Sequence, residues 1–255
     1  PVRDKLRELG AKLDDKTIKE LEGKFAELKN RLLGQAVFTA RKSEVTIEFD
    51  PTQSTMAMTI GEPSRFLVGG DFLLKHSIEE CLVVGLHEGG HADITRLGSG
   101  KFFGSEKLRA LLNVVEDQRV NERVLDRVTN KHKQKEFKGF LHKYYSVDYD
   151  KLKTEDLPNL FPHEAFMEGL MNRQYGGSSP WDGDEVIGAA LDEAWPHLER
   201  AIAARPKQLN PSEILVRAKM REFESILEND ILPIYERLYQ LSIEQIEQAL
   251  KEQAE

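Results

Sequence analysis

Ser77-Ile78-Glu79-Glu80-Cys81-Leu82-Val83-Val84-Gly85-Leu86-His87-Glu88-Gly89-Gly90-His91 is the stretch on which the fold and chemistry of this chain turn. Ser77 followed three residues later by Glu80 is a capping box, in which each side chain satisfies a backbone N–H that the first helical turn leaves open. The apolar run behind it predicts a helix from Ile78 to about Leu97, stopped by Gly98. His87-Glu88-x-x-His91 then places two imidazoles four residues apart, on one helix face and one turn from each other. Imidazoles so placed can reach one tetrahedral ion at about 2.0–2.1 Å per bond. Glu88 is rotated by about 100° from His87, where it can hold a water beside a metal rather than bind the metal itself. Gly89 and Gly90 point the other way, since each costs a helix about 1 kcal/mol relative to Ala. If the helix ended there, the two histidines would not share a face.

Two histidines leave a site open, so a third ligand is expected downstream. Ile94 and Leu97 stand where a metzincin needs Gly and His, which excludes that class. After a loop over Gly98 to Ser105, a second helix is predicted from about Glu106 to Lys131. Its apolar stripe runs through Leu108, Leu112, Val115, Arg119 and Val120, and Glu116 falls on that stripe. A carboxylate facing a core is costly unless it is paired or bound to a metal, which makes Glu116 the candidate third ligand. Asp117 lies between Asn113 and Asn121 at four-residue spacing, and the three could orient a ligating histidine from behind. The alternative is a solvated helix on which Glu116 pairs with Arg119 or Arg123.

His87-Glu88-x-x-His91 taken with Asn113-x-x-Glu116-Asp117-x-Arg119 resembles the gluzincin metallopeptidases. More narrowly, it resembles the metallopeptidase region of bacterial and phage proteins of the cobaltochelatase CobT type, which often precedes a von Willebrand A domain. The resemblance covers about residues 77 to 125. It implies Zn2+ held by His87, His91 and Glu116, Glu88 as general base in peptide hydrolysis, and Asn113, Asp117 and Arg119 around the ligands. Asn121 stands where that group usually has Glu, and no von Willebrand A domain is evident after residue 130.

Outward from the motif, residues 1 to 34 read as helix, with Ile18, Leu21, Phe25, Leu28 and Leu32 on one face. Val45, Ile47 and Phe49 alternate with polar residues, as do Met56, Met58 and Ile60, and Asp50-Pro51-Thr52-Gln53-Ser54 between them reads as a turn. With a further strand over about 36 to 41, these predict a small antiparallel sheet, whose edge could pair with an extended peptide. Residues 138 to 170 give no clear pattern. Tyr175-Gly176-Gly177-Ser178-Ser179-Pro180 is a loop. Amphipathic helices follow over about 184–204, 212–228 and 231–251. The expected architecture is α+β: a mainly helical zincin-like core over residues 1–180 with its small antiparallel sheet, and a helical C-terminal subdomain over 181–255.

The bulk numbers fit this picture. With 36 basic and 44 acidic side chains in 255 residues the formal charge is −8, which argues against nucleic acid as the main partner. The basic run Lys131 to Lys135 reads as a solvated face. The single cysteine, Cys81, cannot form an internal disulfide and reads as a small buried hydrophobe. No apolar stretch suits a membrane span, and Pro1-Val2-Arg3-Asp4 lacks a signal-peptide pattern, so a cytoplasmic location is expected. The expected function is zinc-dependent hydrolysis of a protein or peptide substrate. Tyr144, Tyr145, His142, His163 and Tyr175 are open candidates for the oxyanion donor. Asp93, two residues past His91, reads as an exposed helix position. The rival is a non-catalytic, zinc-containing binding or assembly module, with partner contacts through the terminal helices. There a fourth protein ligand such as His142 or His163 would close the metal.

Overall fold

The computed structural model describes residues 2–8, 10, 13–34, 45–59, 64–96, 105–147 and 159–254. Helices α1 (Val2–Glu8) and α2 (Asp15–Leu33) lead into β1 (Val45–Asp50), β2 (Met56–Thr59) and β3 (Ser64–Gly69). Then come α3 (Gly70–Lys75), α4 (Ile78–Ile94), α5 (Glu106–Arg127), α6 (Lys131–Tyr145) and α7 (Pro162–Gln174). The chain ends with α8 (Ile187–Ala203), α9 (Glu213–Ile226), a π turn (Leu227–Ile231) and α10 (Leu232–Ala254). The fold is mainly helical α+β. None of the described helices is long and apolar enough to cross a membrane. The strand expected over 36–41 lies outside the described residues.

Two compact units divide the chain. One comprises residues 1–95, 123–134 and 208–210; the other comprises 96–122, 135–207 and 211–255. The boundary expected at residue 180 therefore falls inside the second unit, because α7 packs on both α8 and α10.

In the first unit, the helix expected over 1–34 is two helices. Gly10 has a φ of 66° between them, a conformation only glycine adopts cheaply, and Asp14 restarts the helix by accepting the Thr17 N–H at 2.8 Å. The sheet order is β1-β3-β2. β2 runs antiparallel to β3, as expected of a small antiparallel sheet, but β1 runs parallel to it. The sheet is thus mixed, because β3 inserts between the two strands that the alternation pattern exposes. Register places Ile47 opposite Phe66, and Phe49 opposite Val68; all four are buried. Glycine is required at the end of β3: a Cβ on Gly69 would stand 2.4 Å from the Gln53 carbonyl oxygen. Helices α2 and α4 pack together, closely enough that a Cβ on Gly85 would meet Leu32 at 2.7 Å.

The second unit is an all-helical core of Leu, Ile, Ala and Phe side chains from α5, α7, α8, α9 and α10. Helix α7, which the sequence pattern leaves undefined, starts at Pro162, where a missing N–H costs nothing, and Glu164 accepts the Phe161 N–H at 2.9 Å. The two last predicted helices join through the π turn, where the Leu232 N–H bonds the Leu227 carbonyl. Pro233 has no N–H to give, so the wider turn just before it keeps the helix continuous.

Candidate metal centre

The capping box forms as its sequence predicts. The Glu80 N–H donates to Ser77 Oγ at 3.2 Å and the Ser77 N–H to Glu80 Oε2 at 3.0 Å. From that start α4 runs through Gly89 and Gly90, both buried, to Ile94. The glycines therefore do not end the helix, and the Thr95 N–H closes it on the His91 carbonyl at 2.8 Å. It stops three residues before the expected Leu97.

Helical continuity brings the two imidazoles together. Nε2 of His87 lies 3.2 Å from Nε2 of His91, and the rings meet edge to face with centroids 4.8 Å apart. Two nitrogens on one tetrahedral zinc, each at about 2.0–2.1 Å, stand about 3.3–3.4 Å apart. The observed 3.2 Å is slightly shorter than that edge and close enough for the pair to hold one ion. Thr95, which the motif does not flag, sits behind: its Oγ1 lies 3.1 Å from His91 Nδ1. With the proton on Nδ1, His91 donates to Thr95 and leaves the Nε2 lone pair facing His87. Thr95 is four residues past His91 on the same face, so spacing alone could have found it. Glu88 is half-buried.

Asp93 departs from its expected place. It is 4% exposed, and its Oδ2 accepts from Arg123 Nε at 2.7 Å and Arg127 Nη1 at 2.8 Å. A lone carboxylate would not stay buried; two guanidiniums from the end of α5 make it tolerable.

On the preceding turns of α5, Glu116 and Arg119 are both buried. Arg119 makes a two-pronged pair with Glu116, Nε to Oε2 at 2.6 Å and Nη2 to Oε1 at 2.7 Å. It also donates to the Ala204 carbonyl at 3.0 Å and lies over the Phe223 ring. The pairing weighed as the alternative for Glu116 thus occurs, but in a core rather than on a solvated face. Asp117 is half-buried, and Asn113 is exposed, which removes the reason to place Asn113 behind a ligand. Asn121 is buried and donates to Tyr175 Oη at 2.7 Å.

Among the oxyanion candidates, Tyr175 is the one tied to this face of α5. Burial pushes its hydroxyl well above the ordinary phenol range, and Asp117 and Glu122 add to the rise. The phenol therefore keeps its proton, and because Asn121 is the donor in their bond, that proton remains to be given. His142 Nδ1 lies 2.7 Å from the Tyr175 carbonyl oxygen. Tyr145 stacks on Tyr175, and Tyr144 stacks on Phe140, 42% exposed. His163 bonds Ser242 at 2.8 Å beside Tyr235 and Tyr239. The two histidines named as closing ligands of a structural zinc, His142 and His163, are engaged in these contacts.

No family model, curated protein or solved structure matches this chain.

Proposed function

We propose that this chain is a zinc-dependent peptidase with the His-Glu-x-x-His motif of the gluzincins but an aspartate as third ligand. The observation that carries the reading is the His87–His91 pair, two Nε2 atoms 3.2 Å apart, close to the edge length of a zinc tetrahedron, on a helix with Glu88 beside them. Asp117 is assigned as third ligand in place of Glu116. Both oxygens of Glu116 already accept from Arg119, whereas its neighbour Asp117 is half-buried and outside that pair. Bound there, zinc would supply Lewis-acid polarisation of a carbonyl and bring the pKa of a water to about 7.

The chain's own residues do the rest. Glu88 takes a proton from the attacking water and passes it to the amide nitrogen as the C–N bond breaks. Strand β2 is an edge of the described sheet and packs on α4, which supports binding of an extended substrate by backbone pairing.

The test has two steps. Protein equilibrated with limiting zinc should hold one ion per chain by mass spectrometry, and His87→Ala should lose it. Glu88→Gln should keep the ion and lose hydrolysis of an unstructured protein substrate such as casein by about a hundredfold or more. Zinc absent from the wild type would end the metal reading; a Glu88→Gln protein as active as wild type would end the mechanism. Zinc retained with no hydrolysis in wild type would favour the assembly module.

A further inference from the structure

A groove runs along α10 in the helical unit, built from residues that the metal site does not use. Two cavities of about 700 and 550 Å³ adjoin there. Both are lined by Val186 and Leu241, so they are continuous. Pro233, Arg237, Leu241, Glu244 and Gln248 supply the α10 wall across the two cavities. Their spacings of four, four, three and four residues keep them on one face. From Pro233 to Gln248 that face spans about 22 Å, the length of some four helical turns. The facing wall includes Ala189 and Ala190 of α8, small enough to let another backbone approach. Val186 is 49% exposed and Leu241 37% exposed, so the centre of the groove offers apolar surface to solvent.

Charge tells what would fit. The lining carries the carboxylates of Asp184, Glu193, Glu236 and Glu244 against one cation, Arg237. Arg237 is already paired with Glu193. Three carboxylates remain without a cation of the groove's own, spread along an apolar floor. The indole of Trp181 lies at the same end as Asp184 and Glu244, where it can take a cationic side chain over its face.

We propose that this groove docks a basic amphipathic helix of a partner protein, with its apolar stripe on Val186 and Leu241 and its lysines or arginines on Glu236, Glu244 and Asp184. Helix-in-groove binding reads anchors at three- and four-residue spacing, which is the spacing of the α10 wall. The acidic lining selects against an acidic helix of the same shape.

The probe is a fluorescent peptide of about fourteen residues, with leucine at helical spacing and lysine elsewhere, titrated by anisotropy against the full chain. Its counterpart has glutamate for every lysine. The lysine peptide should bind at least tenfold more tightly than the glutamate peptide. Binding should weaken at least tenfold in Glu244→Lys and in Leu241→Glu. It should be unchanged in Ile214→Glu, a control at a site 81% exposed on α9. Because both test positions are lining residues on the surface of α10, circular dichroism should report the same helix content in all variants. The proposal is overturned if the wild type does not bind the lysine peptide, if the glutamate peptide binds as well, or if the groove variants bind like wild type. It is also overturned if sedimentation shows a wild-type dimer that Leu241→Glu makes monomeric, since the occupant would then be a second copy of this chain.

Discussion

Helix α5 carries two buried clusters of arginine and carboxylate that solve the same problem differently. Near its middle, Arg119 pairs with Glu116 three residues away on the same helix. At its end, Arg123 and Arg127 share one oxygen of Asp93, which belongs to α4. The first is a local pair whose charges cancel, and it would form on almost any buried helix with that spacing. The second ties two helices of one unit together by placing two guanidiniums on one carboxylate. A buried charge is tolerated only with its partner, so the second cluster concentrates its cost in a single residue. One cluster is therefore replaceable as a unit, while the other is a fastening point for the helix that bears His87 and His91.

The largest effect should come from removing that fastening. Asp93→Ala removes the carboxylate that two buried arginines share and should lower stability by about 3–5 kcal/mol, read as an earlier midpoint in urea. A loss below about 1 kcal/mol would mean that the arginines find other partners, and the contrast with Arg119 would disappear.

The next effect separates ion pairing from metal binding. Replacing the local pair together, Glu116→Leu with Arg119→Met, should cost only about 1–3 kcal/mol, because both charges leave at once and the loss is that of the donor to the buried Ala204 carbonyl. With Asp117 as the ligand, that double variant keeps its zinc, while Asp117→Asn weakens zinc binding by more than about a hundredfold in a competition titration with a chelator. If the double variant loses zinc and Asp117→Asn keeps it, Glu116 is the ligand after all.

The smallest effects concern titration in the two cores. Burial pushes the Cys81 thiol up to about 11, so it should stay unreactive towards Ellman's reagent at pH 8 until the chain unfolds. Burial likewise lifts the Tyr235 hydroxyl to about 12. A phenol raised above its unfolded value of about 10 adds stability below pH 10 and loses it as the pH climbs towards 12. Absorbance near 295 nm should show one tyrosine ionising near the top of that window, ahead of Tyr175, whose phenol burial lifts further, and Tyr235→Phe should remove that step.

These clusters also mark where the sequence is readable. The Glu116–Arg119 pairing is visible as a three-residue spacing, although its burial is not. Asp93 reads as exposed, because the arginines that bury it lie 30 and 34 residues further on. The bond between Asn121 and Tyr175 spans 54 residues and is equally invisible in one dimension. Strand β3 hides for another reason: Ser64-Arg65-Phe66-Leu67-Val68-Gly69 is short and runs straight into α3 at Gly70, so its alternation covers too few residues to stand out. Only the pairing register shows that it lies between β1 and β2.

What the sequence determined by itself is what short-range geometry controls. The capping box at Ser77 and Glu80, the alternation over Val45 to Phe49, and the four-residue step from His87 to His91 each depend on residues within one or two turns. What the tertiary structure alone decided is where charge can be buried and which carboxylate is held by which arginine. Solvation cost depends on every neighbour in space, whatever its distance along the chain, and that is why Asp93 found its partners, and Glu116 its burial, only when the helices packed.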